Sequence, residues 1–105
     1  MPIKVYHAPE ICPANHEVTI RAFVKDNYQN YHLVATVDTD IPIDALRLTK
    51  TVQIRWWLNK GVKFHGSKEW GMKSSRSTYV GDVLILEHNI ILAVGPNDTF
   101  ISIVI

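Results

Sequence analysis

Asp82-Val83-Leu84-Ile85-Leu86-Glu87-His88-Asn89-Ile90-Ile91-Leu92-Ala93-Val94-Gly95-Pro96-Asn97-Asp98-Thr99-Phe100-Ile101-Ser102-Ile103-Val104-Ile105 holds three short apolar runs divided by two polar turns. Runs of this length, rich in Val and Ile and bounded by Asn, Asp, Gly and Pro, read as strands joined by tight connections. The first spans Asp82 to Glu87, and His88-Asn89 turns the chain. Ile90 to Val94 is the second, Gly95-Pro96-Asn97-Asp98 turns again, and Thr99 to Ile105 is the third. Along the last run Ile101, Ile103 and Ile105 share one face, and Phe100, Ser102 and Val104 the other. Turns this short require antiparallel neighbours, which makes residues 82–105 an antiparallel meander.

Upstream, Tyr31 to Asp38 alternates with Leu33, Ala35 and Val37 on one side. From Glu17, Val18, Ile20, Ala22 and Val24 alternate with Thr19, Arg21, Phe23 and Lys25. Period two predicts half-buried strands at 17–25 and 30–38, closed into a hairpin by Asp26-Asn27-Tyr28-Gln29-Asn30. Thr39-Asp40-Ile41-Pro42 then has helix-start chemistry, with Asp44 near the positive end of the dipole. A helix over about 42–50 follows, with a further turn near Trp56-Trp57 ended by Asn59-Lys60-Gly61. Residues 1–16 contain Pro2, Pro9 and Pro13 and read as an irregular arm with a short strand at Ile3 to Tyr6. The order predicts one α+β domain over 1–105, an antiparallel sheet of about five strands with one covering helix. Strands this short also admit a curled, barrel-like sheet.

Composition narrows the class. The chain has 105 residues, 47% of them apolar, enough for one core. Charged residues make up 20%, and no apolar run approaches a membrane span. Met1-Pro2-Ile3-Lys4 lacks the apolar stretch of a signal peptide, and the single Cys12 excludes an internal disulfide, so a cytoplasmic location is expected. The net charge of +1 hides an asymmetry. Between Arg55 and Arg76 lie Arg55, Lys60, Lys63, Lys68, Lys73 and Arg76 against Glu69 alone, a local +5 that leaves −4 elsewhere. That excess falls in a long basic loop over 59–79, whose charge reads either as a solvated loop, the more frequent case, or as a surface for an anionic partner.

Two features of this loop carry chemistry. Trp56, Trp57, Phe64, Trp70 and Tyr79 are interleaved with lysines, a composition that suits stacking on single-stranded nucleic acid. The structural reading of the same rings is a small aromatic core beneath the loop. Adjacent Trp56 and Trp57 cannot both face outward, which puts one of them inside. The overall pI of 7.9 is also below that of dedicated DNA-binding domains. The second feature is Ser74-Ser75-Arg76-Ser77-Thr78-Tyr79-Val80-Gly81-Asp82-Val83, a hydroxyl-rich run ending in a Gly-Asp turn. Gly81 can take positive φ, and Asp82 can accept main-chain amides, which makes a well-built loop-to-strand junction. Functionally the same run could cradle an anion, with Arg76 as a forked donor. No P-loop pattern is present, which excludes that route to nucleotide hydrolysis.

Other chemistries are weakly supported. His7, Cys12 and His16 supply three soft or imidazole groups but no Cys-x-x-Cys pair, so no metal and no cofactor are expected. Surface histidines and a small apolar Cys12 account for the same residues. No Gly-x-Ser-x-Gly elbow occurs, and no acid, base and nucleophile cluster in sequence, so an enzyme is not expected.

The octapeptide Arg76-Ser77-Thr78-Tyr79-Val80-Gly81-Asp82-Val83 resembles the Arg-Ser-Thr-Ser-Val-Gly-Asp-Val signature of small uncharacterised proteins carried by phages and plasmids. Thr49 or Thr51, Trp56-Trp57, Asn59-Lys60-Gly61-Val62 and Ala93-Val94-Gly95 follow the layout of that family, over roughly residues 17–95. Tyr79 replaces its second Ser, and Gly95-Pro96 its Gly-Phe step. The resemblance implies an accessory protein of a phage or other mobile element, acting in the host cytoplasm, and implies no mechanism. Similar signatures occur in proteins linked to plasmid maintenance and anti-restriction.

The functional expectation is therefore a non-enzymatic binding module that engages a host or viral macromolecule through the 59–79 loop. Trp57, Lys63, Trp70, Lys73, Arg76 and Tyr79 are the expected contact residues. A protein is the leading partner, nucleic acid the alternative, and no membrane is involved. A third reading is self-association: strand 99–105 is apolar on both faces, and on a sheet edge it would need covering by a homodimer partner.

Overall fold

The computed structural model describes residues 2–13, 16–50, 56–65 and 77–104. Six strands form one antiparallel sheet. In chain order they are β1 (Ile3–His7), β2 (His32–Val37), β3 (Val62–Phe64), β4 (Val83–Ile85), β5 (Ile91–Val94) and β6 (Phe100–Ile103). Two helices accompany them, α1 (Glu17–Asn27) and α2 (Pro42–Leu48). The order across the sheet is β3-β2-β1-β4-β5-β6. The α+β class and the antiparallel sheet agree with the sequence reading. The barrel-like alternative does not hold: β3 and β6 are the outer strands of the order and do not pair with each other, so the sheet is open, with six strands and two helices among the described residues.

The segment expected as a strand at 17–25 is helical. Ile20 and Val24 satisfy both period two and the helical i, i+4 spacing, so they do not discriminate. Phe23 does: it is buried beside Ile20 and Val24, whereas Val18 is 79% exposed. Glu17 and Arg21 then pair one helical turn apart at 2.8 Å, and the Asn27 side chain donates to the Phe23 carbonyl. With 17–25 helical, the place beside β2 is taken by β1. The N-terminal arm thus supplies a central strand, paired to β2 on one side and β4 on the other. Its register against β2 shifts between Val5 and Tyr6, where Val34 is the extra residue.

The two helices cover opposite faces. On one face Ile20, Phe23 and Val24 of α1 pack on Val83, Ala93, Ile101 and Ile103. On the other, Ala45 of α2 and Trp56 pack on Ile3, Val5, Ala35, Val37 and Leu84. The expected start of α2 holds, with Pro42 in its first turn. Its end falls at Leu48, where the Thr49 hydroxyl donates back to the Ala45 carbonyl at 2.8 Å.

Part of the expected 59–79 loop is structured. The Asn59 side chain donates to the Leu48 carbonyl at 2.8 Å, and Gly61 turns the chain at φ +84°. Val62 and Phe64 then fall on the α2 side of the sheet as edge strand β3, paired with Val37 and Ala35. The two turns of the C-terminal meander are each built on a pair of left-handed residues, His88-Asn89 and Asn97-Asp98. Such pairs match the twist of tight antiparallel connections.

Candidate functional site

The junction flagged in sequence is built around buried polar groups. Thr78 is wholly buried, Asp82 is 1% exposed, and His7 on β1 is 3% exposed. The Asp82 carboxylate accepts the Tyr79 amide at 2.7 Å and the Ala8 amide at 2.9 Å. Sequence reading expected Asp82 to take main-chain amides, and it does so on both oxygens. Gly81 adopts φ +92°, as its place in the Tyr79–Asp82 turn requires. An ideal Cβ there would lie 2.6 Å from Cys12 Cβ, so Gly81 is required by space as well as by backbone.

Hydroxyl directions in this array follow from its far end. The Thr49 hydroxyl has one proton and gives it to the Ala45 carbonyl, which can only accept. Thr49 Oγ1 therefore accepts from Thr78 Oγ1 at 2.8 Å. Thr78 Oγ1, its proton committed, must accept from His7 Nε2 at 2.9 Å, so Nε2 carries a proton. Asp82 Oδ2 lies 3.8 Å from the same Nε2. Electrostatic attraction and hydrogen bonding thus converge on one imidazole nitrogen, beside which the Trp56 ring stands at 6.0 Å.

His, Thr and Asp together resemble a catalytic set in residue type only. In a nucleophilic triad the acid and the nucleophile engage opposite ring nitrogens. Here both face Nε2, and all the groups are shut away from solvent. The arrangement serves as a latch between the first strand and the loop-to-strand junction. Expecting histidines at the surface is therefore incorrect for His7, whose partner Thr78 lies 71 positions away. Cys12 is buried against the α1 core, as a small apolar residue would be. Among the described residues no group of three or more His, Cys, Asp or Glu side chains is placed to hold a metal ion.

The expected contact residues are distributed as follows. Trp57 is half-buried, edge-on to Trp56 with ring centres 5.6 Å apart, and 5.8 Å from Phe64. Trp56 is the inward member of the pair at 1% exposure, and it meets Phe64 edge-on at 5.6 Å. The aromatic mini-core is thus present for these three rings. Lys63 is exposed and, by strand alternation, projects from the opposite face of β3 to Phe64. Tyr79 is 47% exposed although Thr78 beside it is fully buried. Trp70, Lys73 and Arg76 lie outside the described residues. Trp57 and Lys63 therefore do not share a patch: they lie on opposite faces of the edge strand.

Cavities open on the described surface at two places of note. One, about 240 Å³, is lined by Tyr6, Tyr28, Tyr31, Val83 and Ile85. The other, about 390 Å³, is lined by Ile3, Asp40, Leu86, Glu87, His88 and Ile90. Sequence reading placed none of the three tyrosines at a site. They lie on β1 and on the turn between α1 and β2, and only the register brings them together.

No protein-family model, no curated protein and no solved structure matches this chain. Among the described residues, no helix is long and apolar enough to cross a membrane.

Proposed function

We propose that this protein is a non-enzymatic binding module that engages a protein partner through the 59–79 segment. The observation that carries the reading is the placement of Tyr79. Its side chain is 47% exposed while Thr78 and Asp82 on either side of it are locked in the interior. A large amphipathic ring on a fixed backbone has little freedom to lose on binding, which suits it to anchor an interface. Both described ends of the segment are rooted: the His65 amide donates to the Val34 carbonyl, and Thr78 is held by His7 and Thr49. Lys60 and Lys63 are exposed on the same segment and add positive charge. The signature resemblance supports the setting, an accessory protein of a phage or plasmid acting on a host or viral component.

The test compares proteins captured by tagged wild type with those captured by a Trp70→Ala/Arg76→Ala variant and by Tyr79→Ala. Loss of a wild-type partner from both variants, each still folded by circular dichroism, is the expected result. Identical partner sets from all three proteins would remove the proposal.

A further inference from the structure

The register places one row of side chains across all six strands on the α1 side of the sheet. Cross-strand pairing aligns Lys63 with Thr36, Thr36 with Lys4, Lys4 with Ile85, Ile85 with Ile91, and Ile91 with Ile103. Paired residues share a face, so the row passes from cationic and polar to apolar. Helix α1 covers the apolar end, where Ile101 and Ile103 belong to its core. The other end carries exposed Lys4 and Lys63, with Thr36 between them bonded to His65 at 2.8 Å. Among the described residues neither lysine is drawn into an ion pair. The acids nearest in register are Asp38, two positions beyond Thr36, and Glu87, two positions beyond Ile85.

At the seam between the open half and α1 lies the cavity of about 240 Å³. Tyr6 sits two residues from Lys4 on the same face, and Ile85, which lines the cavity, is Lys4's cross-strand partner. Tyr28 and Tyr31 close the far side, with the Tyr31 hydroxyl donating to the Gly81 carbonyl. The volume is below that of a site for a whole drug-sized ligand and suits a single ring system.

We propose that this face binds single-stranded nucleic acid, with one base in the tyrosine cavity and the backbone running over Lys4 and Lys63. Tyrosine rings offer π-faces to any base, and two cations about two strand spacings apart, ~10 Å, lie along one backbone track. A duplex keeps its bases stacked inward and could not fill the cavity. The inference does not rest on the protein-binding reading. Of the residues named for the two surfaces, only Lys63 belongs to both.

The experiment titrates protein, up to about 100 μM as non-specific binding requires, into fluorescein-labelled single-stranded oligothymidylate and oligouridylate and a duplex of equal length. Anisotropy is read at about 50 and 200 mM salt. Two neutralised phosphates should give a log–log slope of about −1.4, an affinity loss near sevenfold over that range. A Lys4→Glu/Lys63→Glu variant, altered only at exposed positions, should lose detectable binding. Tyr6→Ala should weaken binding about tenfold or more while keeping most of the salt slope. Tyr79→Ala should leave oligonucleotide binding unchanged, which separates this surface from that of the preceding section. The proposal is overturned by absence of single-strand binding at low salt, by duplex binding as tight as single-strand binding, or by an unchanged affinity of the Lys4→Glu/Lys63→Glu variant. Equal affinity for polyglutamate would likewise overturn it, since a carboxylate chain has no base for the cavity.

Discussion

His7 Nε2 donates to Thr78 Oγ1 across 2.9 Å, joining the first strand to a loop 71 residues further along the chain. Thr78 passes its own proton to Thr49, which passes its proton to the end of α2. One hydroxyl thus ties together three parts of the fold. Thr78→Val keeps the volume but removes both the acceptor of the His7 N–H and the donor to the Thr49 oxygen. Loss of two buried hydrogen bonds should cost about 2–4 kcal/mol, read as a lower urea midpoint at unchanged slope. Thr78→Ser retains the hydroxyl and should lose far less. Equal stability of the Val variant and wild type would mean that the latch contributes nothing.

Asp82 offers the second test. Its two oxygens serve the Ala8 and Tyr79 amides. Asp82→Ala should destabilise by about 2–5 kcal/mol, because the buried Ala8 N–H and the part-buried Tyr79 N–H both lose their acceptor. Asp82→Asn presents an NH2 group to one of those amides and can restore at most one bond. The expected order of stability is therefore Asp, then Asn, then Ala, measured by chemical denaturation. An Asn variant as stable as wild type would contradict the assigned bonding.

Gly81 combines a left-handed backbone with a crowded neighbour. Gly81→Ala should cost more than the strain alone, above about 2 kcal/mol, since its Cβ meets Cys12 and the Phe23 ring. A Gly81→Ala/Cys12→Gly protein relieves the contact but not the φ strain. The cycle of single and double variants should show a favourable coupling between the two sites. Additive losses would indicate that φ alone dictates glycine there.

These positions show what can and cannot be read from sequence. The strand at 30–38, the helix beginning at Pro42 and the meander after Asp82 were legible, because local alternation and turn chemistry agree in each. The 17–25 segment was misread because Ile20 and Val24 fit two periods, and the burial of Phe23 settles the matter only in the fold. Ile3–His7 is short and flanked by prolines, so nothing local signals that it takes the centre of the sheet. The Asp82 turn and the positive φ of Gly81 were visible as residue types. His7 was not, since its role depends on a residue at the other end of the chain. The row linking Lys4 to Lys63 is likewise a property of register, which single-strand patterns do not encode.

Edge strand β6 has its own guard. Gly95 donates to the Thr99 carbonyl, and Gly95 and Thr99 thus form a bonded pair. Alternation from that pair turns the backbone of Ser102 away from β5. The Arg21 guanidinium donates to this outward Ser102 carbonyl while Glu17 holds it in place. A homodimer formed through 99–105 would have to displace Arg21. Arg21→Ala should therefore raise the apparent mass in light scattering at high protein concentration, with a stability change below about 1 kcal/mol for so exposed a pair. Monomers for both wild type and variant would end the self-association reading.

Partners are expected to meet the surface that the latched junction presents. A photo-cross-linking residue placed at position 79, and in a second protein at position 18, tests this directly in lysates of candidate host cells. Both sites are exposed, but Val18 projects from the outer side of α1. The expected result is a discrete cross-linked protein from position 79, lost when Arg76 and Trp70 are replaced by alanine, and none from position 18. Cross-links from position 18 with none from position 79 would contradict the account.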